Sequence, residues 1–238
     1  MIERISAYGN SAMLIETGLE INRENNEKVQ FIKSFLQKKQ VEGIRALIPA
    51  YTSLCVVFDP LQTSFENLQS ILSNILAEDI SSKIQSRKLT IPVLYDHSTG
   101  PDLTLLMQEN KLKLEEIIEL HTQPSYQVFM MGFLAGFPYM GLSHTKLTTK
   151  RHSTPRKRVE TGSVGLANNQ TGIYPSASPG GWKIIGQCPV KLVREELETP
   201  FLFQAGDEVK FRAITKDEFE EIQKEEKNKT FDLSQIYA

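Results

Sequence analysis

Cysteine is nearly absent from this chain: Cys55 and Cys188 are the only two in 238 residues, and they form no Cys-x-x-Cys. That excludes a disulfide framework and a paired-thiol redox motif. The opening Met1-Ile2-Glu3-Arg4-Ile5-Ser6 has no signal-like apolar core, so the two thiols read as reduced structural residues of a cytoplasmic protein. No apolar run approaches the roughly twenty residues needed to cross a bilayer. An excess of one charge is missing too: 27 basic and 29 acidic residues leave a net charge of −2. No global field therefore draws the chain to nucleic acid or to an anionic membrane. The glycine-rich runs carry no Gly-x-x-x-x-Gly-Lys-Ser/Thr phosphate loop, and no Gly-x-Ser-x-Gly nucleophile elbow occurs. The histidines His97, His121, His144 and His152 show no metal-ligand spacing, so no metal site is expected. A self-sufficient ATPase, a serine hydrolase of the elbow type and a zinc enzyme are all poorly supported.

What is present divides into two textures. The first part alternates strand and helix signals. Ala12–Ile15 reads as a short strand, and residues 23–38 as a helix with Asn22 as N-cap and Val29, Ile32, Phe35 and Leu36 on one face. Strands are expected at Ile44–Ile48 and Leu54–Phe58 around the turn Pro49-Ala50-Tyr51-Thr52. A second helix follows Ser64 with Phe65, Leu68, Ile71, Leu72 and Ile75 as its stripe, and Leu89–Val93 closes the series as a strand. The order β-α-β-β-α-β matches a ferredoxin-like unit. The fold class is thus α+β, with a ferredoxin-like domain over residues 1–88 and a polar linker at Glu78–Lys88.

Residues 89–238 form the second domain. Pro101 suits the first turn of a helix, and Leu112–His121 reads as another. Short β-prone runs then alternate with Gly/Pro turns: Tyr126–Met130, Ser163–Ala167, Gly172–Tyr174, Trp182–Ile185, Leu192–Arg194 and Glu208–Arg212. Such spacing predicts a small barrel or compact all-β body. Lys216–Lys229 reads as a charged, solvated helical tail.

Three dense clusters stand out in this half: Met131-Gly132-Phe133-Leu134-Ala135-Gly136-Phe137-Pro138-Tyr139, then Gly162-Ser163-Val164-Gly165 with Gln170-Thr171-Gly172-Ile173-Tyr174-Pro175, then Ser178-Pro179-Gly180-Gly181-Trp182. Glycine costs conformational entropy, so glycines beside large aromatics imply tight corners or close approach to the backbone. Arg156, beside Arg151, Lys157 and Arg158, offers a guanidinium fork for a carboxylate or phosphate. His121 ends its helix, either as a cation at the C-terminus or as a proton donor facing the barrel. Gln170, Tyr174 and Trp182 suit a groove wall, although the two aromatics equally suit barrel corners. Gly180 and Gly181 would let backbone N–H groups face a ligand. Phe137-Pro138-Tyr139 would line the same groove or dock a partner.

In order along the chain, these motifs resemble the family that contains the B subunit of the prokaryotic 5-oxoprolinase, an inhibitor of a sporulation histidine kinase, and proteins called allophanate hydrolase subunit 1. Tyr8-Gly9-Asn10-Ser11-Ala12, Ile48–Leu54, Ile91-Pro92-Val93 and Gly100-Pro101-Asp102-Leu103 extend the resemblance over nearly the whole chain. It implies a cyclophilin-like, carboxyltransferase-type second domain. It further implies an ATP-dependent opening of 5-oxo-L-proline to L-glutamate, carried out with a homologous C subunit and with an A subunit. ATP with Mg is expected in the assembled complex rather than on a motif of this chain, and isolated activity is not expected. The resemblance leaves a second reading, a regulator that binds a histidine kinase. No Met-Lys-Met biotin-attachment motif appears. The expected catalytic residues are His121, Arg156 and Gln170, with Tyr174, Gly180, Gly181, Trp182 and Phe137 binding substrate in one groove. The chain departs from the family pattern at Asn10, often acidic, at Ala135, often proline, and at Thr149-Lys150-Arg151, where a Pro-Arg-Arg is usual.

Overall fold

A computed structural model describes residues 2–73, 86–196 and 199–237. It comprises two compact units, Met1–Gln85 and Ser86–Ala238. No helix among the described residues is long and apolar enough to cross a membrane.

The first unit runs β1 (Arg4–Ala7), β2 (Ala12–Glu16), α1 (Arg23–Lys39), β3 (Ile44–Pro49), β4 (Ser53–Phe58) and α2 (Phe65–Ser73). Helix α1 starts where its cap dictates: the Asn22 side chain accepts the Asn25 N–H at 2.8 Å. Its apolar stripe buries Val29, Ile32 and Leu36 against Met13, Ile15, Leu54 and Val56 of the sheet. The sheet is antiparallel in the order β1-β2-β4-β3. The strand expected to complete a β-α-β-β-α-β sheet is not in it. β1 folds back as a hairpin onto β2 and takes that edge, whereas β5 (Lys88–Val93) pairs in parallel with a strand of the second unit. Leu89, Ile91 and Val93 are buried in that second core, and Pro92, lacking an N–H, suits the edge position β5 occupies there. Ile75, expected on the α2 stripe, and residues 78–85 of the expected linker lie outside the described residues.

The second unit continues with α3 (Leu103–Asn110), α4 (Leu114–Thr122), β6 (Ser125–Met131), β7 (Pro138–Gly141), β8 (Arg156–Val159), β9 (Ser163–Ala167), β10 (Gln170–Ile173), β11 (Ser178–Gly180), β12 (Lys183–Gln187), β13 (Glu208–Ala213) and α5 (Lys216–Asn228). Seven strands form one sheet in the order β12-β9-β10-β7-β6-β13-β5, and β8 pairs with β11 separately. The sheet curls until its edges touch: Leu94, just past β5, exchanges backbone hydrogen bonds with Gln187 of β12 at 2.9 and 3.0 Å. This curled, mixed α/β body is consistent with a cyclophilin-like fold. Period-two alternation sends Met140, Val164, Leu166 and Ile173 to the barrel core and turns Gly165, Ala167 and Gly172 outward.

Three local expectations change. Helix α3 begins at Leu103 with Asp102 at the N-cap position, so Pro101 precedes the helix. Leu192–Arg194 is no strand; Val193 makes an isolated bridge to Phe201. The charged tail α5 is amphipathic rather than wholly solvated. Phe219 and Ile222 join the barrel core, and the buried Glu226 carboxylate accepts from Arg194 Nη2 and, at 3.1 Å, the Lys191 N–H. Burial raises the Glu226 pKa above its ordinary value despite those donors.

Candidate functional site

The outward glycines of β9 and β10 make room for rings. A Cβ on Gly172 would lie 2.9 Å from the Phe137 ring, and one on Gly165 would lie 3.1 Å from Trp182 Cβ. Phe137 therefore packs against the sheet at Gly172, edge to face with Tyr174 at 5.2 Å and with Trp182 at 5.5 Å. Gly180 is equally constrained, since its Cβ would stand 2.4 Å from Tyr174 Oη. The Tyr174 hydroxyl accepts the Trp182 backbone N–H, and burial raises its pKa. Phe137, Tyr174 and Trp182 are all buried, so they anchor the wall rather than line an open groove. Gly180 and Gly181 form no anion nest. Neither has a positive φ; the first packs on Tyr174 and the second's carbonyl accepts the His152 N–H at 2.7 Å. Phe137-Pro138-Tyr139 is likewise turned inward, with only Tyr139 part-exposed, so it offers no docking face. The exposed ring of this region is Phe133, 61% accessible and held at φ 65°, an unusual backbone state for a bulky residue. Arg151 lies over Trp182 with its guanidinium 5.7 Å from the ring centroid.

Beside this wall sits a charged hub centred on Asp102. Its Oδ1 accepts from Arg156 Nη2 at 2.6 Å and His152 Nε2 at 3.0 Å, and its Oδ2 accepts the Ile184 N–H at 2.7 Å. Gly100 allows the approach, because a Cβ there would meet the Ile185 carbonyl at 2.6 Å. Strand pairing brings Arg156 of β8 opposite Gly180 of β11. With Nε2–H given to Asp102, a neutral His152 ring keeps Nδ1 as its basic nitrogen. Next in line, Glu109 of α3 pairs with the buried Lys183 and accepts from Thr149 Oγ1 at 3.3 Å. Its pKa is lowered, chiefly by the Lys183 hydrogen bond and in smaller part by nearby His152.

His121 is elsewhere. It is fully buried in the barrel interior, stacked on Phe211 at 4.4 Å. Thr171 Oγ1 donates to the Gly165 carbonyl at 3.2 Å and so accepts from His121 Nε2–H at 2.9 Å, which leaves Nδ1 to accept the Tyr95 hydroxyl at 2.6 Å. Burial pushes the His121 pKa down to about 3. The expectation that His121 faces the groove is not met: α4 packs that end of the helix against β13, where three apolar and aromatic neighbours close it off. Gln170 is buried at the start of β10, on the outer face it shares with Gly172. The structure thus gathers Phe137, Tyr174, Gly180, Gly181, Trp182 and Arg156, and separates His121 from them.

Arg156 also lines a cleft of about 230 Å³ with Ser98, Thr99, Ser163, Ile184 and Gln187. Val159 and Ile184 belong to both the cleft and the aromatic wall. Among the described residues, no group of three or more His, Cys, Asp or Glu is placed to hold a metal ion. Asp102, His152, Glu109 and Lys183 do not stand out in the sequence. Their partners lie 50 to 82 positions away within the Asp102 hub, so no local spacing announces them. The one available signal is a carboxylate at a helix start beside a Gly-Pro turn.

Residues 3–203 match the family described as carboxyltransferase domain, subdomain C and D. The 5-oxoprolinase B subunit of Bacillus subtilis is 37% identical over 94% of this chain and 98% of its own length. That of Escherichia coli O157:H7 is 41% identical over 88% of this chain and 96% of its own. Among solved structures, that of TTHA0988 superposes with a TM-score of 0.77 at 32% identity over 86% of this chain. This chain spans only 40% of that protein's length.

Proposed function

This chain belongs to the carboxyltransferase domain family, subdomains C and D, and from that membership we propose that it is the B subunit of a multi-subunit, ATP-dependent 5-oxoprolinase. The observation that carries the proposal is the nearly end-to-end match to 5-oxoprolinase B subunits, over 98% of the Bacillus relative. The reaction opens the lactam of 5-oxo-L-proline to L-glutamate in the cytoplasm. A lactam is a poor electrophile, and phosphorylating its oxygen with ATP makes its carbon open to water. In this reading the chain acts with a homologous C subunit and with an A subunit.

The cleft beside Arg156 does not fit a nucleotide. At about 230 Å³ it falls below the roughly 300–1,000 Å³ of usual ligand pockets, and its arginines sit in no glycine-lysine phosphate loop. ATP with Mg is therefore assigned to the assembly, and this chain's share is to bind and orient. Arg156 supplies a cation where negative charge gathers, Asp102 holds that cation and the His152 ring in place, and the wall of Phe137, Tyr174 and Trp182 keeps water from one side. Gln170 and the Gly180-Gly181 turn support that wall. His121 has a structural role, bridging helix α4 to strand β10.

The test is co-expression with the candidate A and C subunits, followed by an assay for 5-oxoproline-dependent ADP release. Turnover is expected from the assembly and not from the chain alone. Full turnover by the isolated chain, or none by the assembly, overturns the reading.

A further inference from the structure

Two polar groups at the cleft keep donors that the fold does not use. Ser163 is only 5% exposed, yet its hydroxyl makes no hydrogen bond among the described residues. The hydroxyl is therefore open to the cleft with a free donor and acceptor. Arg156 is the second. Nη2 is committed to Asp102, while Nη1 is shielded from solvent and has no acceptor. Gln187, directly opposite Ser163 in the β9–β12 ladder, also lines the cleft; it gives its amide N–H to the Thr161 carbonyl, which leaves its side-chain oxygen as an acceptor. The neighbouring charges cancel: Arg158 is held by Glu160 at 2.7 and 3.2 Å. Arg156 is paired too, with Asp102, but its Nη1 keeps a donor without an acceptor, and a rim of paired charges disfavours a dianion.

We propose that this cleft receives the carboxylate of a small organic acid, with Arg156 and Ser163 donating to the carboxylate and Gln187 accepting from a ligand N–H. That the acid is a five-membered lactam rests on the function proposed above; the carboxylate preference does not. The cleft volume admits a small ring and no nucleotide.

The experiment is a titration of the full chain, followed by amide NMR shifts at Thr99, Ser163 and Gln187. The probes are 5-oxo-L-proline, cyclopentanecarboxylate, 2-pyrrolidinone and inorganic phosphate. Both acids should give saturable shifts at those positions, with 2-pyrrolidinone and phosphate at least tenfold weaker. Ser163→Ala should weaken both acids about tenfold, the loss expected for a hydrogen bond to a charged group. The same variant should unfold at about the parent's temperature, because the hydroxyl makes no hydrogen bond within the fold. Arg156→Lys should weaken the acids at least as much. Binding of cyclopentanecarboxylate without 5-oxo-L-proline would keep the carboxylate receptor and reject the lactam as its occupant, leaving the 5-oxoprolinase reading to the assembly's turnover. The receptor itself is overturned by any of three results: no saturable shift from either acid, 2-pyrrolidinone or phosphate binding as tightly as the acids, or unchanged affinity in Ser163→Ala.

Discussion

Replacing Asp102 with asparagine removes one charge from a carboxylate that serves three donors at once. Arg156, His152 and the Ile184 N–H all converge on its two oxygens, at 2.6, 3.0 and 2.7 Å. An asparagine keeps one acceptor oxygen and turns an NH₂ toward whatever stood at the other. Hydrogen bonds to a charged group are each worth about 1.5–3 kcal/mol, so the gross loss is large. The Arg156 and His152 side chains are 31% and 23% exposed, so water recovers part of it. The net cost of Asp102→Asn is therefore about 2–3 kcal/mol, and that of Asp102→Ala about 3–5 kcal/mol, since it strands the guanidinium altogether. For a unit of this size each kcal/mol moves Tm by about 2–4 °C, which predicts a drop of roughly 5–10 °C for the asparagine variant. Trp182 is the sole tryptophan and lies beside the hub, so its fluorescence reports this unit specifically during urea or thermal unfolding. A loss under about 0.5 kcal/mol, the range of ordinary surface substitutions, would refute the hub as a structural keystone.

His121 is neutral in the folded chain with a pKa of about 3 against about 6.5 unfolded, so the unfolded state binds the extra proton between those values. Stability should be full above pH 6.5 and fall as pH drops toward 3, by about 2 kcal/mol at pH 5; imidazole NMR showing His121 titrating near 6.5 in the native state would contradict this. Gly180→Ala should lower stability by about 1–3 kcal/mol, because its Cβ overlaps Tyr174, whereas Gly181→Ala, with nothing nearer than 3.6 Å, should be close to neutral by calorimetry. In the proposed assembly, Arg156→Ala should cut turnover about a hundredfold, and Arg156→Lys should recover little where the fork geometry matters; near-normal turnover in the alanine variant with assembly confirmed rejects the role.

Much of the local structure was legible in the chain itself because its causes are local. Asn22 as the cap of α1, the Val29–Ile32–Leu36 stripe and the Ser163–Ala167 strand follow from side-chain chemistry and periodicity acting over a few residues. The glycine-aromatic clusters likewise announced close packing, and the rings of Phe137, Tyr174 and Trp182 do pack on those glycines. Sheet membership was another matter. Leu89–Val93 reads as a strand in any context, but only the competition for edges decided that β1 caps the first sheet and β5 joins β13. The fate of each ionisable side chain was decided the same way. In sequence, His121 and Arg156 are both polar residues beside barrel strands and equally open to a site role. Three-dimensional packing buries the first among Tyr95, Tyr126 and Phe211 and binds the second to a carboxylate 54 residues away. Periodicity records which face of an element is apolar, and burial and charge pairing depend on which other elements meet that face.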